Sequence, residues 1–236
     1  MQLDFRLGAP AKQRGARLLA QARADDGQGG RVWLGSRDGR IQVQDGARIE
    51  VAGGRTGEDG RVTLQARRTG AGASGSEVAI SSLAGLVQGA ARIDVEALRT
   101  WDGIERIGTL PGATTLATWQ IAQDSAAFLG AQGLQAEAIA TRLAGADAAT
   151  LGALKVHAAA EVRSSGDLLV DAGGAWTLPS ESLVTGAAHV GDTSLVLRAA
   201  GALNVPYGLQ SGVSDFHPGS RASGSLTLTA GADLGA

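Results

Sequence analysis

The sequence predicts an all-β chain: a right-handed parallel β-helix, or solenoid, with one helical insertion. Three observations carry this expectation. Aliphatic residues recur in pairs two positions apart: Val32/Leu34, Ile41/Val43, Ile49/Val51, Val62/Leu64, Val78/Ile80 and Ile93/Val95. The texture resumes at Leu154/Val156, Leu168/Val170, Leu195/Leu197, Leu203/Val205 and Leu226/Leu228. Each pair places two side chains on one face of a strand and polar neighbours on the other. Turn residues (Gly-Ser, Asp-Gly, Gly-Gly, Ala-Gly) follow almost every pair. Finally, GRVWL at 30–34 and GRVTL at 60–64 lie 30 residues apart, and SLVL at 194–197 precedes SLTL at 225–228 by 31.

Strands this short bury too little to fill both faces of a sandwich. Stacked upon one another, they bury one face continuously and hydrogen-bond above and below. The rival is an antiparallel sandwich or barrel, which also shows short strands at 8–12-residue spacing. The chain has no Asn-Gly, and Asn204 is its only Asn, so that hairpin signal is missing.

Taken in order, residues 1–28 form a poorly determined lead segment. Residues 29–123 read as β-helix coils, 124–150 as the helical insertion and 151–236 as further coils. DSAAFLGAQGLQAEAIATRLAG (124–145) is rich in Ala, Gln and Leu. Asp124 or Ser125 suits an N-cap and Gly145 a C′ stop. Leu134, Ala138, Ile139, Arg142 and Leu143 fit a helix with one apolar stripe. Gly130 and Gly133 would each cost about 1 kcal/mol inside a helix, so its first half is expected to be irregular.

Composition supports a narrow aliphatic core. The 236 residues are 44% hydrophobic but only 3% aromatic, with 36 Gly and 5 Pro. The net charge of −2 argues for neither nucleic acid nor an acidic membrane surface as partner. Lys12 and Lys155 are the only lysines; the other cations are Arg. With no cysteine, disulfides and thiolate metal sites are excluded. MQLDFRLGAPAKQRG has no apolar h-region, so no signal peptide is read in this chain, and no run is long enough to span a membrane.

Reactive constellations are few. GAGASG (70–75) fits G-x-G-x-x-G, but SEVAI follows it, a strand rather than the helix a dinucleotide site needs. In RIDVE, Ile93 and Val95 pointing inward leave Asp94 and Glu96 pointing outward together, with Asp102 nearby. Such paired carboxylates serve polysaccharide-cleaving enzymes as acid and base. A solvated strand face is the plainer reading, and Asp167 and Asp171 are weaker candidates. His157, His189 and His217 are scattered, without metal-ligand spacing or an evident Asp partner. DDGQGG (25–30), SRDG (36–39) and GEDG (57–60) do not hold a calcium-binding repeat register and read as turns. No Arg-Gly-Asp occurs. Trp101 and Trp176 sit beside turns, where they would stack on sugars or cover the core; Trp33 and Trp119 are the other tryptophans. No cofactor and no metal are expected.

The ordered motifs GGRVWL, GRVTLQARRTG, VAISSLAGLVQGAARIDVEALRTWDG (78–103), IAQDSAAF (121–128), EVRSSGDLLV (161–170), SLVLRAAGALNV (194–205) and SGSLTLTAGADL (223–234) resemble a known group. It is the large exoproteins related to filamentous haemagglutinin, in an uncharacterised domain near their C-terminal part. The resemblance covers roughly residues 29–236. It implies a β-helical passenger of a Gram-negative bacterium, secreted through a partner outer-membrane pore. Its implied role is adhesion to host-cell or bacterial surfaces, without catalysis or transferable catalytic residues. Family members often place Asn in their turns, where this chain uses Gly, Asp and Ala. The secretion domain read by the pore is not in this chain. The resulting expectation is a segment of a secreted, cell-surface adhesive or structural exoprotein. The alternatives are a polysaccharide-acting enzyme using Asp94 and Glu96, and a passive stalk for another module.

Overall fold

The computed structural model describes residues 16–44, 46–178, 188–210 and 224–234. The chain begins with β1 (Arg17–Leu19), β2 (Arg31–Ser36), β3 (Arg48–Glu50) and the long β4 (Gly60–Thr69). β5 (Glu77–Val78), β6 (Val87–Gln88), β7 (Ala90–Trp101), β8 (Arg106–Gly108) and β9 (Thr115–Ala117) follow. Three helices come next: α1 (Thr118–Leu129), α2 (Leu134–Ala144) and α3 (Ala148–Ala153). Then come β10 (Leu154–Ser164), β11 (Leu168–Val170), β12 (Trp176–Thr177) and β13 (Ser194–Ala199). The last described strands are β14 (Leu203–Asn204), β15 (Leu209–Gln210) and β16 (Leu226–Thr229).

The principal sheet runs in the order β16-β13-β10-β7-β4-β2, each neighbour parallel. Aliphatic pairs meet in rows across it. Val32 stands beside Val62, Val62 beside Ile93 and Ile93 beside Leu154; Leu34, Leu64, Val95 and Val156 form the next row. Because side chains alternate, that register keeps every aliphatic pair on one face. Smaller parallel sheets, β1-β3-β6, β14-β11-β8-β9 and β12-β15, stand beside the main one.

The all-β right-handed β-helix expected from the spacing is not what forms. The principal sheet curls as a half-barrel, and with 16% helix and 39% strand the layout is α/β-like. The reason lies in the core. Phe128, Leu129, Ile139 and Leu143 of the helices share one apolar cluster with Val62, Leu64, Ile93, Val95, Leu154 and Val156 of the sheet. Ile121 belongs to a second cluster, with Val162, Leu195 and Leu197. The helical stretch is therefore a wall of the core rather than an insertion lying against a finished tube. One strand pair also departs from parallel stacking. β5 turns back antiparallel on β4, and GAGASG is the turn between them, with Gly70, Gly72 and Gly75 all at positive φ.

The helices start earlier than the expected 124 and run through 153. Gln120 accepts the Ala117 N–H at α1's start (2.9 Å). Gly130 and Gly133, both at positive φ, separate α1 from α2. Ile139 and Leu143 are buried as the stripe requires, whereas Leu134 is 67% exposed. Asp147 begins α3, accepting the N–H groups of Ala149 and Thr150. These bonds, with those from the Thr150 hydroxyl and Gly85 N–H, hold its carboxyl below the usual carboxylate range.

Asp124 is not an N-cap but a buried residue inside α1. It receives Arg68 Nη1 at 2.7 Å and is also paired with Arg99. Both arginines continue the aliphatic face of their strands: Arg68 follows Leu64 and Ala66, and Arg99 follows Val95 and Ala97. Arg68 is held on every side. Its remaining donors reach the carbonyls of Ala97, Ser74 and Ala159, and its guanidinium lies 4.3 Å from the Phe128 ring centroid. Burial lowers its pKa to about 10 in spite of Asp124. Removing one partner from a buried ion pair leaves the other charge uncompensated. Asp124→Ala should therefore cost about 3–5 kcal/mol in urea-monitored unfolding.

Candidate functional site

Two places gather the chain's polar chemistry. The first is the face of the principal sheet opposite the aliphatic rows. With Ile93 and Val95 in the core, Asp94 and Glu96 do point the other way, as the alternation of RIDVE requires. They are not on a solvated face, however. Asp94 is 6% exposed and Glu96 3%, because strands on both sides supply partners that close over them.

On one side, β10 sets His157 beside Glu96 in register, and its ring reaches Asp94 Oδ1 from Nε2 at 2.7 Å. Arg92 donates to the same oxygen at 2.6 Å. On the other side, β4 brings Gln65, whose Nε2 donates to Glu96 Oε2 at 2.8 Å. Ser194 donates to Glu96 Oε1 at 2.9 Å and accepts the Ser225 N–H at 3.0 Å. His157 is thus neither isolated nor without an Asp partner, contrary to expectation. Sequence separation hid the pair, which stands 63 positions apart.

A local irregularity completes the enclosure. Val156 bridges Val190, yet Ala159 pairs with Ser194, so one extra residue is accommodated between the two pairings. Such a bulge re-aims the backbone. Here it turns the Asp192 carbonyl onto His157, whose Nδ1–H donates to it at 2.8 Å. Gly191 passes directly under the ring: a Cβ there would sit 2.1 Å from His157 Cε1.

Further along the same face, Glu161 is fully buried against Arg163 Nη2 at 2.8 Å and Arg37 Nε at 3.1 Å. The hydrogen bond to Glu161 holds the Arg163 guanidinium above its ordinary pKa. Sequence reading missed Glu161 and Ser194. The alternation His157, Ala159, Glu161 was the available signal, since it puts both polar residues on one strand face.

Electrostatics favour the charged row. Burial by itself would raise Asp94, but its hydrogen bond and attraction to His157, with those to Arg92, outweigh it and hold the carboxyl below its usual range. The Asp94 and Glu96 carboxylates are therefore engaged by neighbouring side chains on a nearly closed face.

The second place is a pair of clefts of about 300 Å³ each, which share Ser74 and Arg99. One opens beside Arg37, Arg67 and the glycine-rich hairpin turn. The other is lined by Trp101, Trp119, Gln120 and Gln123. Arg99 lies 4.1 Å over the Trp101 ring, and Trp119 is 49% exposed. Arg67 is exposed and makes no ion pair among the described residues. Trp176, the other tryptophan expected at a surface, is buried in the second core cluster, and Trp33 stands 62% exposed on the outermost strand.

The remaining candidates stay apart. Asp171 pairs with Arg106 at 2.5 Å, and Asp167 accepts the Ala202 N–H at 2.7 Å. His189 donates from Nδ1 to the Leu154 carbonyl at 3.0 Å. Asp102 is within 3.7 Å of Arg163. His217 lies outside the described residues. Among the described residues, no group of three or more His, Asp or Glu is placed to hold a metal ion. None of their helices is long and apolar enough to cross a membrane. No family model, no curated protein and no solved structure matches the chain.

Asp94's carboxyl is depressed in the folded state, so its contribution to stability is present above about pH 4 and is lost as pH falls through the lower, folded value. Urea midpoints measured across that interval should fall, and Asp94→Asn should flatten the fall. Gly191→Ala should destabilise by about 1–3 kcal/mol, because the added methyl overpacks a buried ring. Chemical denaturation of the two variants checks both.

Proposed function

We propose that this chain is a non-catalytic, adhesive and structural segment of a secreted, cell-surface exoprotein of the filamentous haemagglutinin type. In this reading a pore-type partner carries the full-length protein across the outer membrane of a Gram-negative bacterium. The chain then meets host-cell or bacterial surfaces.

The observation that carries the proposal is the enclosure of Asp94, Glu96 and His157. General acid–base catalysis needs a group within hydrogen-bond reach of a substrate proton. The Asp94 and Glu96 carboxylates already accept from Arg92, His157, Gln65 and Ser194, and all three residues are at most 6% exposed. This weighs against the polysaccharide-cleaving alternative. What the surface does offer is contact chemistry: Trp119 half exposed, Arg99 stacked on Trp101, and Arg67 exposed and without an ion pair among the described residues. Aromatic and Arg side chains carry most binding energy where proteins meet partners.

Fluorescently labelled chain should bind cell surfaces. Trp119→Ala should weaken that binding several-fold with the melting temperature unchanged. The same preparation, incubated with a panel of polysaccharides, should release no reducing ends. Release of reducing ends that Asp94→Asn abolishes would overturn the proposal in favour of the enzyme. Failure to bind any surface would leave the passive stalk.

A further inference from the structure

The two clefts on the sheet's flank adjoin, and we infer that together they bind a sugar phosphate, its phosphate monoester beside Arg67 and the glycine-rich turn, its ring against Trp119. The inference rests on the contact role proposed for the same surface and names its ligand. Arg67 and Arg99 stand on β4 and β7, inner strands of the principal sheet with described neighbours on both sides.

Charge selects an anion. Two buried carboxylates pair with arginines that line the first cleft, and each is shared: Asp124 by Arg68 and Arg99, Glu161 by Arg37 and Arg163. Arg67 has no ion pair among the described residues, and exposed Asp38 is the one carboxylate lining that cleft among them. The cleft therefore carries surplus positive charge, which attracts a dianion more strongly than a monoanion.

The turn adds neutral donors. From Gly70 to Ala73 the sign of φ alternates, positive at Gly70 and Gly72, negative at Ala71 and Ala73. Such alternation turns successive N–H groups toward one point and makes a concavity for anions. The N–H groups of Gly72, Ala73 and Ser74, which line the cleft with Arg67, reach no protein acceptor among the described residues. A Cβ on Gly72 would meet nothing within 4 Å, so the turn is open there. A guanidinium with free N–H groups beside it suits phosphate oxygens.

The second cleft suits a sugar. Ser74 and Arg99 line both clefts, so one ligand reaches from the turn to α1. There the half-exposed Trp119 offers an apolar face to ring C–H groups. Gln123 is exposed and makes no hydrogen bond among the described residues, and Gln120 uses only its Oε1, on the Ala117 N–H. Amides donate and accept, as sugar hydroxyls do. In the same wall, the Trp101 Nε1–H is buried without an acceptor among the described residues, an orphan that a hydroxyl would satisfy.

Calorimetric titration of the full chain tests this at about pH 8, where a phosphate monoester is dianionic. Glucose 6-phosphate should bind, inorganic phosphate about fivefold more weakly for want of a ring to stack, and glucose not at all. Glucose 6-sulfate, a monoanion, and adenosine monophosphate should both bind more weakly than glucose 6-phosphate. Arg67→Gln should weaken both phosphates about tenfold at an unchanged melting temperature. Arg55→Gln, at an exposed arginine that lines neither cleft, should change nothing. Trp119→Ala should bring glucose 6-phosphate down to the affinity of inorganic phosphate and leave phosphate itself unchanged. The inference is overturned if the folded chain does not bind glucose 6-phosphate, or if Arg55→Gln weakens it as much as Arg67→Gln, which would mean diffuse charge. Equal or tighter binding of glucose 6-sulfate or adenosine monophosphate, or a preference for the sugar that survives Trp119→Ala, overturns it as well. A chain that binds glucose 6-phosphate but no cell surface loses the adhesive reading alone, and one that adheres without binding glucose 6-phosphate loses this inference alone.

Discussion

Asp124 holds two guanidinium groups, Arg68 and Arg99, at a level of the sheet where aliphatic side chains otherwise stand. The rest of the architecture depends on this pairing. A buried arginine without a carboxylate is among the costliest things a core can contain. The carboxylate comes from α1, so the helix must lie on the sheet for the sheet to tolerate its own arginines. Once there, α1 delivers Phe128 to one apolar cluster and Ile121 to the other. The ion pair thus sits where the two clusters meet, and sheet and helices form one packing problem rather than two.

The opposite face is held by a different means. There the strands carry Asp94, Glu96, His157 and Glu161, all nearly or fully buried. Their burial is tolerable because Gln65 and Ser194 from other strands, and Arg37, join the near neighbours Arg92 and Arg163, each two residues along its own strand. Such a network specifies register closely. A slip of one residue would exchange each of these side chains with an aliphatic from the other face, leaving charges in one core and oily groups in the other. Groups able to perform acid–base chemistry here also tie neighbouring strands together.

Exposed and half-exposed side chains gather at the periphery. Trp119, Arg67 and the glycine-rich hairpin turn lie at clefts along the sheet's flank, where their partners are few. The sheet's end strands are also incompletely covered, with their aliphatic pairs in view.

Spacing along the chain placed most of the strands, their alternation and the parallel neighbours 30 or 31 residues apart, although Ile41 forms only an isolated bridge and β5 turns back antiparallel. Val32 and Val62, 30 residues apart, do stand side by side, as do Leu195 and Leu226. It also determined that Asp94 and Glu96 share a face, because a period of two follows from strand geometry alone. What it did not determine was what covers each face. The α/β layout, the Arg68–Asp124 contact across 56 residues and the His157–Asp94 contact across 63 were decided by tertiary structure. Local pattern states which way a side chain points. Whether it meets water, a helix or a carboxylate depends on chain segments that no local pattern contains.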